Sequence, residues 1–339
     1  MRIRQLVCTD AFSGVERYVT YVAVELARRG HEVQVIGGEP GRMTTELDPA
    51  GVVHVAVSSV PDVARAGARR PHPDVVHAHM TAADIAAVMG RPVVRRPLVS
   101  TLHFAHRRGH SPTTRSLYRV LRPFITTEVA ISHYVAAQAG GDPVVIPNGV
   151  PSGPAAAADG REPVVVMAQR LEAEKDTATA LRAWHQAELR RTGWTLRVLG
   201  DGSERSALEA LVRELGLEAT VELPGTVVDV DERMRRASLF VATAPAEPFG
   251  LAVVEAMAAG LPVVAAAGGG HLETVGPVSP DTLFPSGDPA AAARVLDTLG
   301  ADPARRAALG SLGRDRFEAE YTVETHVDRL EALYRRIAR

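Results

Sequence analysis

Along the whole chain, short apolar runs alternate with stretches whose apolar positions recur at helical spacing. That alternation is the signature of βαβ units and parallel sheets. In the first half, strands are predicted near 2–8, 32–37, 52–57, 74–78, 97–102, 128–131 and 143–147. The first helix spans roughly 14–29 and ends at Gly30, a residue suited to a helix C-terminus. Pro151 to Gly160 has the composition of a linker. A second series of strands follows near 163–168, 194–199, 220–223, 238–243, 261–266 and 282–284, with helices between, and the tail from 302 to 339 is helical. No short repeat or low-complexity tract interrupts either series. Two doubly wound domains facing one another across a cleft, broken near residue 150, are the economical architecture. Ligands of such sheets bind at the carboxyl ends of the strands, so chemistry is sought there.

Composition narrows the class. A length of 339 residues suits two domains, each large enough for its own core. With 46% hydrophobic residues, 23% charged residues and a net charge of −2, the chain reads as an ordinary soluble protein with no electrostatic footprint for nucleic acid. The single cysteine, Cys8, ends an apolar run where a buried structural thiol is expected. Arg2 to Cys8 opens the chain as a strand rather than a signal peptide, and no apolar run approaches a membrane span. A cytoplasmic protein is expected.

One compositional detail points to chemistry. The chain has 37 arginines and a single lysine, Lys175, close after Arg170 in Arg170-Leu171-Glu172-Ala173-Glu174-Lys175. A lysine kept where arginine is otherwise used suggests a site needing a compact ammonium on a flexible stem, phosphate binding being one case. Chance survival on a solvated helix start is the equal alternative. The stretch Glu247-Pro248-Phe249-Gly250-Leu251-Ala252-Val253-Val254-Glu255 is more specific. It follows an apolar strand, and a helix is predicted to start near Gly250. Glu247 then lies in the strand-to-helix loop and Glu255 in the first turns. A helix N-terminus with glycine offers backbone N–H groups to an anion. Two carboxylates beside an anion site suit hydroxyl groups of sugars flanking a diphosphate. Spacing alone is equally compatible with a capped helix carrying one glutamate near its dipole and one on its surface.

Taken together, Glu247 to Gly250 followed by Glu255 resembles the E-x7-E signature of family 4 retaining glycosyltransferases, and Arg170 with Lys175 resembles that family's diphosphate clamp. Gly200-Asp201-Gly202, Pro224-Gly225-Thr226-Val227, Ile146-Pro147-Asn148-Gly149-Val150 and Gly269-Gly270 before Glu273 match in order. So do Glu16-Arg17, Arg29 to Val33, Asp74 to His79 and Thr101-Leu102-His103 in the first half. The resemblance implies a GT-B fold: an acceptor-binding domain at 1–150 joined by a crossover helix at 323–339, and a nucleotide-sugar domain at 151–322. It implies that Arg170 and Lys175 neutralise the leaving diphosphate. Glu255 would accept from ribose hydroxyls and Glu247 would contact the transferred sugar. Phe249, Gly250 and Leu251 would face the donor with their amides, and Gly225 and Val227 would contact the base with backbone atoms. Gly14 falls where the family has a glycine-rich loop, with one glycine where many members have two; an ordinary helix start capped by Ser13 fits the spacing equally.

His103 ends the strand 97–102 and is predicted to point into the cleft; in the family, a histidine there lies near the transferred sugar. His77 and His79 share a strand end, where one of the pair is expected to be structural. The His-x-His spacing permits a metal site, but no third ligand accompanies it. Residues 85–127 hold eight arginines and no acidic residue: Arg91, Arg95, Arg96, Arg107, Arg108, Arg115, Arg119 and Arg122. Arg115, Arg119 and Arg122 recur at helical spacing. They form either a solvated face or a patch for a phosphorylated acceptor or an anionic membrane surface.

The expectation is a retaining, metal-independent glycosyltransferase that needs no cofactor beyond its nucleoside-diphosphate sugar. A uridine donor is favoured over guanosine, with a small-molecule or lipid-linked acceptor. No Asp-x-Asp metal motif occurs where a nucleotide would sit. A nucleotide-sugar epimerase and a non-catalytic nucleotide-sugar-binding protein are the alternatives on the same architecture. An NAD-dependent dehydrogenase is disfavoured because the G-x-G-x-x-G fingerprint is missing from the first strand–helix turn.

Overall fold

A computed structural model describes residues 1–105, 112–153 and 160–338, with residues 112–115 described by their backbone only. The chain divides into two compact units, Met1–Pro151 with Tyr321–Arg339, and Ser152–Glu320. Most of the linker predicted at 151–160 lies outside the described residues, as do Arg107 and Arg108.

The first unit is built on seven strands: β1 (Arg2–Val7), β2 (Glu32–Ile36), β3 (Val53–Val55), β4 (Val75–His79), β5 (Leu98–Leu102), β6 (Thr127–Ala130) and β7 (Val144–Val145). They pair in the order β3-β2-β1-β4-β5-β6-β7, every pair parallel. Side chains alternate across a strand. Ile3 and Val7 therefore join one core with Tyr18 and Leu26 of the helix Gly14–Arg28 and with Val327, Leu330 and Tyr334 of the helix Val323–Ile337. Leu6, Val76, Ala78 and Leu98 join the other, beneath the helices Val60–Gly67 and Met80–Gly90. The last helix of the chain is thus part of the first unit's core. The helical tail consists of two helices, Pro303–Glu320 and Val323–Ile337. They break where the Thr322 hydroxyl accepts from the Thr325 N–H and caps the second. Cys8 is only half-buried, and burial with the nearby Asp84 charge pushes its thiol up to about 11.

The second unit has six strands: β8 (Val164–Ala168), β9 (Thr195–Leu199), β10 (Val221–Gly225), β11 (Leu239–Ala242), β12 (Val263–Ala266) and β13 (Leu283–Phe284). Their order is β10-β9-β8-β11-β12-β13, again all parallel. Trp184 and Phe284 are fully buried in its core with Val165, Leu239 and Leu296. In each unit the strand order reverses once, between β1 and β4 and between β8 and β11. At such a switch the connections on either side leave in opposite directions and open a crevice beyond the strand ends.

Candidate donor site at the switch point of the second unit

The loops that leave β8 and β11 flank this switch, and they carry Arg170, Lys175 and Glu247. After β8 the chain makes a single tight turn, Ala173–Lys175, and enters the helix Thr177–Gln186 through Asp176 at a φ of 47°. A left-handed conformation is unfavourable for a non-glycine residue, and here it joins the Lys175 turn to the helix. The backbone is held there by its carbonyl. The Lys175 carbonyl accepts from the Thr243 hydroxyl at 3.0 Å and from the Gln169 amide at 3.3 Å. The Lys175 ammonium donates to Glu247 Oε2 at 2.6 Å, with the two side chains 18% and 15% exposed. Arg170 takes a different partner: its guanidinium, half-exposed, pairs with Glu174 at 2.7 Å. Each cation of the expected clamp thus carries its own carboxylate.

Two glycine loops brace these positions. The Gly270 N–H donates to the Glu247 carbonyl at 2.7 Å, and Gly269 sits so close that a Cβ there would lie 2.3 Å from the same oxygen. On the other side, the Leu171 N–H donates to the Asp201 carbonyl at 2.9 Å, and a Cβ on Gly200 would lie 1.9 Å from the Gln169 carbonyl oxygen. These close approaches explain why Gly200-Asp201-Gly202 and Gly269-Gly270 stand where they do.

Gly250, at a φ of 92°, is the N-cap of the helix Leu251–Ala258. Phe249 and Gly250 are buried ahead of its first turn, Leu251 is half-buried at its first position, and Glu255 is 8% exposed inside it. Gly225 ends β10, where its carbonyl accepts from the Gly200 N–H, and Val227 is half-buried just beyond. All these residues therefore lie at or just past carboxyl strand ends. The sequence reading missed His271. It begins a short turn after Gly270, is 1% exposed, and donates from Nδ1 to the Ala266 carbonyl. A Cβ on Gly250 would be 3.4 Å from its ring, and Glu247 and Lys175 are close enough to act on its charge. Burial, the dominant effect, lowers its protonation below the ordinary histidine range. The only sequence signal was a histidine directly after a glycine run.

In the first unit, Gly14 follows β1 at the switch point and His103 follows β5, one strand beyond it. Gly14 is the first residue of its helix, and the Glu16 carboxylate accepts from the Ser13 backbone N–H at 2.8 Å and from the Ser13 hydroxyl. The helix start is therefore tied by its own capping pair. His103 follows β5 and is 7% exposed, hydrogen-bonded to His79. His77 and His79 are both fully buried. His77 lies between the Tyr334 and Thr101 hydroxyls, each at 2.6 Å. His103 stands as a third imidazole beside the His-x-His pair. Among the described residues, however, no group of three or more His, Cys, Asp or Glu is arranged to hold a metal ion.

Of the basic run, Arg119 lies near the C-terminal end of the helix Pro112–Leu121, and Arg122 follows that helix. The Arg115 side chain lies outside the described residues. Val120 is 64% exposed beside them, and Phe124 is also exposed. Arg122 faces Glu128 at 3.7 Å. Among the described residues no helix is long and apolar enough to cross a membrane.

Comparison with known proteins identifies the class to which these two doubly wound units belong. The family described as Glycosyltransferase Family 4 matches residues 12–153, and that described as Glycosyl transferases group 1 matches residues 154–316. The chain belongs to the family 4 glycosyltransferases. It is 34% identical over 179 residues to a 2-deoxystreptamine glucosyltransferase of Streptomyces kanamyceticus, covering 52% of this chain and 46% of that one. It is 28% identical to a D-inositol 3-phosphate glycosyltransferase of Kineococcus radiotolerans, covering 94% and 91%. Several curated relatives are matched over less than half of their own length, from 13% to 46%. Among solved structures, Anabaena HepE in complex with UDP-glucose superposes with a TM-score of 0.85 at 23% identity, covering 98% of this chain and 99% of that one. The fold is GT-B.

Proposed function

We propose that this protein is a glycosyltransferase that moves a hexose-type sugar from a nucleoside-diphosphate sugar to an acceptor hydroxyl, with retention of anomeric configuration. The observation that carries the proposal is the Lys175–Glu247 pair, drawn from two loops that meet at the switch point of the second unit. A diphosphate there would draw Lys175 and Arg170 to its oxygens. As the sugar–phosphate bond breaks, negative charge grows on the leaving nucleoside diphosphate, and fixed cations stabilise that charge more than the ground state. Glu247, released from Lys175, would accept from a hydroxyl of the transferred sugar. Glu255 would accept from the ribose, and the N-terminal end of the helix Leu251–Ala258 would favour the anion through its dipole. Gly225 and Val227 would meet the base with backbone atoms, and His103 and Gly14 are proposed as further donor-site residues. Two cations suffice for the leaving group, so the reaction is proposed to run without a metal ion.

Uridine is the proposed base, in line with the UDP-glucose bound to HepE. The acceptor is proposed to be a small polyhydroxylated molecule, as the names of the deoxystreptamine and inositol phosphate relatives suggest, or a lipid-linked one. In the lipid case, Arg115, Arg119 and Arg122 with the exposed Val120 and Phe124 would rest on an anionic membrane face.

A thermal-shift screen of nucleoside diphosphates and their sugars tests the donor. A ligand that binds only the folded state raises apparent stability, by about 2.7 kcal/mol at a hundred times its Kd. The expected result is a shift with a uridine diphosphate sugar that is lost in Lys175→Ala. No shift with any nucleoside diphosphate overturns the proposal, and isomerisation of the donor without acceptor would identify an epimerase instead.

A further inference from the structure

His271 holds a place in the second unit that the proposed donor chemistry does not use. It follows Gly270, whose N–H donates to the Glu247 carbonyl at 2.7 Å, and it begins the turn His271–Thr274. A Cβ on Gly250 would meet the His271 Cδ2 at 3.4 Å and the Glu247 Cγ at 3.5 Å. Having no side chain, Gly250 leaves a notch with the imidazole on one wall and the Glu247 side chain on the other. Cδ2 is bonded to Nε2, so the ring edge at this notch is the one that carries Nε2. The other nitrogen is pinned, since Nδ1 donates to the Ala266 carbonyl at 3.1 Å.

That bond fixes where a proton can go. A carbonyl oxygen only accepts, so the neutral ring carries its proton on Nδ1 and a lone pair on Nε2. Among the described residues Nε2 makes no hydrogen bond. A second proton therefore enters at Nε2 without breaking the bond to Ala266. His326 differs, because its Nε2 accepts from the Tyr18 hydroxyl and protonation would break that bond.

Charge around the ring decides whether the proton enters. Burial opposes it, the Glu247 carboxylate favours it, and the Lys175 ammonium opposes it. The elements packed nearby also carry Glu255, in the helix Leu251–Ala258, Glu273, in the ring's own turn, and Arg316, which donates to the Glu273 carbonyl. Of all these groups, Glu247 and Lys175 are the ones that act on the ring's charge, and they offset one another as a pair at 2.6 Å. A nucleoside-diphosphate sugar would bring negative charge to the same switch point and give Lys175 new partners. The balance at His271 then turns negative.

We infer that His271 is a proton-accepting residue of the donor site: it takes a proton from solvent at Nε2 when a nucleoside-diphosphate sugar binds, and so adds a third cation beside Arg170 and Lys175. The inference rests on the proposed binding of the donor at this switch point. Donor binding and protonation are then linked, each strengthening the other by the same factor.

The first test needs no donor. Lys175→Met removes the opposing ammonium. The His271 Cε1–H signal of the full-length chain is followed by 1H–13C correlation between pH 5 and 8, and is assigned by its loss in His271→Gln. Lys175→Met should raise the proton affinity of the ring about tenfold. An unchanged titration overturns the inference, whatever the protein binds. The second test titrates UDP-glucose calorimetrically at pH 6.5 in buffers of different ionisation enthalpy. Its diphosphate is esterified at both ends and does not itself titrate in this range. Net proton uptake is expected, with affinity rising about threefold from pH 7.5 to 6.0, and His271→Gln should abolish both. If His271→Gln fails to fold, the proton count on the unsubstituted protein still decides. Binding without proton uptake overturns the inference. No binding of UDP-glucose, with the Lys175→Met effect present, would keep the coupling of His271 to Lys175 and overturn the donor assignment alone.

Discussion

The Lys175 ammonium lies 2.6 Å from Glu247 Oε2, although 72 residues separate them. The single lysine thus has a carboxylate partner, with which a diphosphate bound as proposed would compete. Glu247→Gln removes both that competing charge and the carboxylate proposed to accept a hydrogen bond from the sugar. Affinity for the nucleoside diphosphate alone should rise about three- to tenfold, roughly 0.7–1.4 kcal/mol, while sugar transfer falls about a hundredfold. Calorimetric titration of the diphosphate and a transfer assay separate the two effects. A weaker diphosphate complex would show that Glu247 supports the anion site instead of opposing it.

Lys175→Ala should lower turnover by about a hundred- to a thousandfold, the usual loss when a charge-stabilising group is removed from a transition state. Lys175→Arg should recover little of it. The planar guanidinium is wider than an ammonium, and here the side chain must fit between Glu247 and a backbone pinned by Thr243 and Gln169. The measurement is kcat under saturating donor, with unfolding curves confirming an intact second unit. A rate close to that of the unsubstituted protein in Lys175→Ala removes the clamp assignment.

The strands and the residues at their ends could be read from the sequence because both depend on local pattern: a run of apolar residues ends, and a chemically distinctive loop follows. Arg170, Lys175 and Glu247 were legible in that sense. Their pairing was not, because contact between the loops after β8 and β11 depends on the strand order, which skips two strands. The bond between His79 and His103 needs the register of β4 on β5, and that between Tyr18 and His326 needs a helix from the far end of the chain. No window of sequence contains either. His271 was missed for a simpler reason: its neighbours are glycines that say nothing about what they pack against until the 245–249 loop is in place.

Gly269→Ala tests that packing. Residue 269 has a φ of 58°, and a Cβ would lie 2.3 Å from the Glu247 carbonyl oxygen and 2.8 Å from its nitrogen. Both neighbours are backbone, so the loop must move. The strain should destabilise the protein by about 1–3 kcal/mol and displace Glu247 from Lys175. The second unit's urea midpoint and the diphosphate titration read the two effects. Gly30→Ala is the control, since a Cβ there meets nothing within 4 Å and only its φ of 83° opposes the change. Donor binding unaltered in Gly269→Ala would mean that the glycine loop does not position Glu247.

The basic surface gives a prediction of opposite outcome for the two acceptor types. If the acceptor is lipid-linked, the protein should float with vesicles containing anionic lipid at low salt and stay behind at high salt, because the attraction is screened within about 10 Å at 0.1 M ionic strength. Arg119→Glu should weaken the association. Equal recovery in the soluble fraction under every condition leaves only the small-molecule acceptor.

The buried histidines also make stability depend on pH in a defined direction. Burial holds His77 and His79 neutral well below the ordinary value of 6.5, and pushes His326 down to about 4. His326 donates from Nδ1 to the Pro147 carbonyl and accepts from the Tyr18 hydroxyl on Nε2, an arrangement available only to the neutral ring. Below about pH 6.5 the unfolded chain takes up protons that the folded one refuses, so acid favours unfolding. The stabilisation is present above 6.5 and is lost as the pH falls toward 4, with a limiting slope of about 1.4 kcal/mol per pH unit for each such histidine. His326→Gln supplies both a donor and an acceptor without a titrating group. Urea unfolding at pH 7.5, 6.5 and 5.5 should therefore show a smaller acid loss in the variant, by about 1 kcal/mol between the last two. Parallel curves for the two proteins would mean that His326 keeps its proton equilibrium on folding, and that its place between Pro147 and Tyr18 does not require the neutral ring.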